Sequence, residues 1–114
     1  MIDFACKRFD LRDIVKCSLG LTKADLAVFE FLLKRQGSHR TEEIARQLRV
    51  DSSTVQRAVK KLHEKNLLKR TQRNLEGGGY VFEYQANDKK MIRAIIMDLV
   101  NSWTKRVEQE LERW

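Results

Sequence analysis

Apolar residues recur along this chain with the period of a helix almost everywhere, and with the period of a strand in one place. Leu11, Ile14, Val15 and Ser18 or Leu19 follow helical spacing. With Asp10 as an N-cap, Asp13 in the first turn and Gly20 as a stop, they predict a helix over residues 10–19. Thr22 with Asp25 three residues on is a variant of the capping box, and predicts a second helix from Thr22 to about Gln36. Leu26, Val28, Phe29, Phe31, Leu32 and Leu33 cover most of its circumference, leaving Lys23, Glu30 and Lys34 as a narrow polar stripe. A helix that apolar belongs at the centre of a core.

Two short amphipathic helices follow. Thr41 is the expected cap of the first, whose inner face is Ile44, Ala45 and Leu48. After Arg49 and Val50, Asp51 or Ser52 caps the next, which runs to about Lys65 with Val55, Ala58, Val59 and Leu62 within roughly 100° of one another. The period then changes. Leu67–Leu75 and Tyr80–Ala86 alternate as strands do, and Gly77, Gly78 and Gly79 between them supply the positive φ that a hairpin turn needs.

Asn87 or Asp88 caps a final helix reaching Trp114, about 40 Å long if continuous. It carries Ile92, Ile96, Val100, Trp103, Val107, Leu111 and Trp114 at spacings of 4, 4, 3, 4, 4 and 3. A domain of this size has a radius of gyration of only about 13 Å, so the helix overhangs and its seam needs a cover. An identical helix from a second chain is the simplest one.

Composition narrows the function. The chain has 114 residues and a net charge of +7, enough for one domain with a core and too little for the large catalytic scaffolds. No apolar run approaches a membrane span or a secretory signal, so a cytoplasmic protein without membrane attachment is expected. The charge is concentrated. Residues 34–73 hold 12 Lys or Arg against 4 acids, a net of +8, and the remainder nets −1. That concentration points to a polyanionic partner.

The basic segment coincides with residues 41–62, where a small residue (Ala45) lets two helices approach and Val50 and Val55 lock their crossing. This is the pattern of a helix-turn-helix, and the basic glycine-tipped hairpin after it completes a winged helix-turn-helix. The stretches "LGLTKADLAVFEFLLKRQG", "TEEIARQLRVDSSTVQRAVKKLHEKNLLKR" and "NLEGGGYVFEY" resemble the winged-helix domains of prokaryotic MarR/TrmB-type regulators, notably archaeal ones, over residues 19–86. The resemblance implies a mainly α fold with a two-stranded wing and a long dimerisation helix. It also implies a homodimeric regulator, with repression as its expected action, on palindromic double-stranded operator DNA. Residues 1–86 would form the DNA-binding domain and 87–114 the dimerisation helix. Two departures stand out. Arg49 occupies a turn position where many such motifs have Gly, and no effector domain follows the module within these residues, unlike full-length sugar-responsive TrmB proteins.

On this reading Ser53, Gln56, Arg57 and Lys60 face the major groove, where Gln suits adenine and Arg suits guanine. Ser52, Thr54 and Lys61 meet phosphates, and Arg70, Arg73 and Asn74 on the wing reach a minor groove or the backbone. The seam from Ile92 to Trp114 is the dimer interface. Two other uses of the same surface stay open: an architectural protein binding DNA without base preference, and a winged-helix module that binds protein.

Nothing points to catalysis. There is no P-loop, no GxGxxG and no nucleophile with a base. Cys6 and Cys17 lack metal-ligand spacing, so no metal or cofactor is expected; a redox-sensing pair, an inter-subunit disulfide and, for Cys17 on the first helix, a small buried residue stay open as readings. His39 and His63 have no catalytic neighbours in sequence. No small-molecule effector is identifiable.

Overall fold

The computed structural model describes all 114 residues, in the order β1 (Ile2–Asp3), β2 (Arg8–Phe9), α1 (Leu11–Leu19), α2 (Lys23–Lys34), α3 (Thr41–Leu48), α4 (Ser52–Glu64), β3 (Leu68–Asn74), β4 (Tyr80–Ala86) and α5 (Lys89–Arg113). The chain packs as two compact units, Thr22–Asp88 and Met1–Leu21 with Lys89–Trp114. This grouping differs from the expected boundary at residue 86, because α1 packs against α5 rather than forming part of the central unit.

The central unit is built around α2. Its N-terminus carries the capping box in full: Asp25 N–H donates to the Thr22 hydroxyl (3.1 Å), and Thr22 N–H donates to the Asp25 carboxylate (2.9 Å). Leu26, Val28, Phe29, Phe31 and Leu32 are buried, as the apolar wrap requires. They meet Ile44 and Ala45 of α3, Val55, Ala58, Val59 and Leu62 of α4, and Leu67, Leu68 and Tyr84 at the base of the wing in one core. The helix ends at Lys34, short of the expected Gln36, because Arg35 is already extended.

Helix ends depart from expectation in two ways. Arg40, not Thr41, holds the N-cap position of α3, and neither Arg40 nor Asp51 before α4 caps with its side chain. At the other ends, three left-handed residues close three helices with the same pair of hydrogen bonds. Gly20, Arg49 and Asn66 have φ of 64°, 57° and 63°. The residue after each donates back across the last turn, Leu21 to Lys16, Val50 to Ala45 and Leu67 to Leu62, at 2.9, 3.0 and 3.0 Å. Glycine adopts this conformation freely, whereas arginine does so against its own Cβ. Val50, expected as an apolar lock, is exposed, and it contributes this backbone bond instead.

The wing is an antiparallel hairpin in register from Leu68↔Ala86 to Asn74↔Tyr80. Its turn is closed by Leu75 N–H to the Gly79 carbonyl (3.0 Å), with Gly78 and Gly79 at φ 95° and 79°. His39 adds a one-residue third strand, exchanging both backbone hydrogen bonds with Tyr84 at 2.8 Å.

The other unit contains α1, α5 and an N-terminal hairpin that hydrophobic periodicity does not announce. Ile2 pairs with Phe9 and Asp3 with Arg8. An edge-to-face contact between Phe4 and Phe9, and the Arg8–Asp3 ion pair at 2.9 Å, hold it. In α5 the seam changes character along its length. Ile92 is buried, Ile96 and Val100 are half-buried, and Trp103, Val107 and Leu111 are exposed. Trp114, expected inside the helix, lies just past its last residue and is 98% exposed.

Candidate nucleic-acid interface

Helix α4 packs its apolar stripe on α2 and α3, and this fixes what its other faces present. At about 100° per residue, Ser53, Arg57 and Lys60 fall opposite the buried stripe. All three are exposed, and neither Arg57 nor Lys60 makes an ion pair. Two unpaired cations and a small hydroxyl near the N-terminal turn form an outward ridge, suited to an acceptor-rich groove.

The remaining members of the expected set lie on the flanks. Ser52 and Gln56 share one. Gln56 lines a shallow cleft with Thr41, Glu42, Val81, Phe82 and Tyr84, between α3, α4 and the wing. Thr54 and Lys61 share the other flank, towards α2. There Lys61 Nζ donates to Asp25 Oδ2 at 3.0 Å. Lys61, expected at a phosphate, therefore has an internal partner 36 residues away and stands apart from the ridge.

The same contact shapes Asp25. Burial on its own would raise its carboxyl pKa. The hydrogen bonds from Thr22 and the charge and hydrogen bond of Lys61 outweigh burial and hold it below the usual value of 3.8. The helix start and the α2–α4 contact thus share one ionised carboxylate.

Strand parity divides the wing set. Arg70, Gln72 and Asn74 lie on the face of Tyr84, Phe82 and Tyr80, with the Arg70 guanidinium 4.3 Å from the centre of the Phe82 ring. Arg73 lies on the opposite face with Lys69 and Thr71, and donates from Nε to Glu83 at 2.9 Å. The structure therefore does not bring Arg70 and Arg73 together. Arg40, which the sequence reading passed over, approaches the same Glu83 at 3.7 Å.

His39, which has no catalytic neighbours in sequence, has structural partners in the fold. Its Nδ1 pairs with Glu43, its Nε2 lies 3.2 Å from the Gln36 carbonyl, and its ring meets Phe31 edge-on. Together with the backbone bridge to Tyr84, these contacts pin the α2–α3 connection to the wing. The signal was weak in sequence, since each partner is an ordinary loop or helix residue until the chain folds.

No three His, Cys, Asp or Glu side chains gather as a metal site, and no helix is long and apolar enough to cross a membrane. Cys6 and Cys17 are both free and exposed.

Comparison with known proteins agrees with this geometry. The family described as sugar-specific transcriptional regulator TrmB matches residues 15–97. A possible transcriptional regulator from Methanosarcina mazei is similar in structure, with a TM-score of 0.93 and 51% identity over 100% of this chain and 96% of that one. The uncharacterized protein MJ1503 of Methanocaldococcus jannaschii is 33% identical over 91% of this chain and 81% of its own length. The fold extends to a mutant of MepR from S. aureus solved bound to an oligodeoxyribonucleotide, at a TM-score of 0.56 and 13% identity, over 91% of this chain and 73% of that one. A helix-turn-helix with an outward basic ridge, a basic wing and this match over most of its length place the chain in the TrmB family of transcriptional regulators, with the winged-helix fold.

Proposed function

We propose that this chain is a homodimeric regulator that reads double-stranded DNA sequence-specifically through α4 and represses transcription by occupying its operator. The observation that carries the reading is the ridge of Ser53, Arg57 and Lys60, exposed and without ion-pair partners, on a helix whose opposite face is fully buried. A rigid helix with free donors can meet base edges without first breaking internal contacts. Lys69, Arg70 and Arg73 on the wing supply charge beside it.

Dimerisation is supported by α5. The exposed Trp103, Val107 and Leu111 form an uncovered apolar run on a helix about 37 Å long. Such a dimer would address half-sites about one DNA turn apart, roughly 34 Å.

Selection of bound duplexes from a random library, followed by in vitro transcription from a promoter carrying the selected site, tests the reading. Enrichment of a palindromic site and lower transcript yield on adding protein are expected. Binding without any sequence enrichment would favour an architectural role.

A further inference from the structure

Glu83 is the one acid on β4, facing a strand that carries Lys69, Arg70 and Arg73. Its side chain is only 14% exposed, and two arginines from different elements hold it. Arg73 Nε–H, from β3, donates to Oε1 at 2.9 Å. Arg40 Nε, from the residue before α3, lies 3.7 Å from Oε2. The two guanidiniums are 64% and 45% exposed at the side chain, so both remain open to solvent. Each approaches Glu83 through Nε, one of the five N–H donors that a guanidinium carries.

A carboxylate on a DNA-facing surface repels phosphate. A carboxylate that fixes two guanidiniums side by side does the reverse. It restrains two flexible side chains before binding, so less freedom is lost when they capture an anion. The three side chains together carry a net charge of +1, which matches the single negative charge of one phosphodiester.

We propose that Arg40 and Arg73, positioned by Glu83, clamp one backbone phosphate of the bound DNA. The clamp ties the start of α3 and the wing to the same point on one strand. It contributes affinity and orientation but no base preference. This inference rests on the DNA-binding reading above.

The test measures binding of the full chain to its selected duplex by fluorescence anisotropy across a salt series. Glu83→Gln removes a negative charge, so bulk electrostatics makes it bind more tightly. The clamp makes it bind about 3- to 10-fold more weakly, the scale of one freed side chain. Arg40→Gln and Arg73→Gln should each lower the salt slope by about 1 while leaving the preferred sequence unchanged. Duplexes carrying one neutral methylphosphonate at successive positions give a readout that a purely structural role of Glu83 would not move. At a single position both arginine variants should lose their effect, and this holds even if Glu83→Gln folds poorly. Glu83→Gln binding as tightly as wild type or more so, or the two arginines mapping to different phosphates, overturns the clamp alone. Wild-type protein that binds no duplex overturns the DNA-binding reading with it.

Discussion

Lys61 Nζ lies 3.0 Å from Asp25 Oδ2, joining α4 to the first turn of α2. Asp25 also accepts the Thr22 N–H, so one carboxylate both caps a helix and anchors its neighbour. Asp25→Asn keeps an acceptor for Thr22 but removes the charge facing Lys61. A loss of about 1 kcal/mol at neutral pH is expected, typical of one charge-assisted hydrogen bond at a partly exposed pair. The pH dependence has a definite sign. Asp25 is held below 3.8 in the folded chain, so its contribution is fully present above that value and is lost as pH falls through the depressed folded pKa. Chemical denaturation of wild type and Asp25→Asn at several pH values checks this. The difference between them should shrink below about pH 4, and a constant difference would separate Asp25 from the acid response.

The same contact separates Lys61 from its neighbour Lys60. Lys60→Gln should weaken DNA binding and lower the salt slope by about 1, with stability unchanged. Lys61→Gln should lower the thermal midpoint and leave the salt slope nearly intact. Arg57→Ala should cost about 1–3 kcal/mol of binding and relax the preference at one base pair, as expected for a base-reading side chain. Gln56→Ala, on the flank towards the wing, should change base preference less. Binding isotherms on single-base variants of the selected site rank the four.

Arg49 closes α3 at φ 57°, ψ 47°, in the left-handed region. Arg49→Gly relieves the Cβ strain of about 1–2 kcal/mol, offset in part by glycine's greater freedom in the unfolded chain. A net gain of about 0.5–1 kcal/mol is expected, seen as a thermal midpoint a few degrees higher. A lower midpoint would mean that the arginine side chain makes a stabilising contact that outweighs the strain.

Much of this architecture is legible in the residues. The Thr22–Asp25 capping box, the all-round apolar face of α2, the buried stripe of α4 and the Gly77–Gly79 turn are local signals, and local hydrogen bonds and periodicity realise them. What escapes is non-local or against propensity. Nothing near Lys61 in sequence announces a partner on α2. Arg49 takes a conformation that propensity gives to glycine. Strands of two residues, such as Ile2–Asp3 and Arg8–Phe9, are too short to show alternation. The opposed faces of Arg70 and Arg73 do follow from their odd separation, once the strand is fixed. Arg40 and Glu83 become a pair only when α3 and the wing fold together.

The exposed end of α5 offers a direct perturbation. Val107→Glu places a charge in the middle of the uncovered run of Trp103, Val107 and Leu111. Wild type should sediment as a dimer and the variant as a monomer, with α-helical content largely retained. Affinity for a palindromic duplex should fall steeply, while affinity for a single half-site should change little. A wild-type chain that sediments as a monomer at micromolar concentration would remove α5 pairing from the mechanism.

Sequence-specific reading by α4 is most directly tested by selecting bound duplexes with wild-type protein and with Arg57→Ala at one fixed salt concentration. Wild type should enrich a palindrome with half-sites about 10 base pairs apart, and Arg57→Ala should enrich the same palindrome with one position per half-site degenerate. An identical motif from both proteins, or no motif from either, would contradict it.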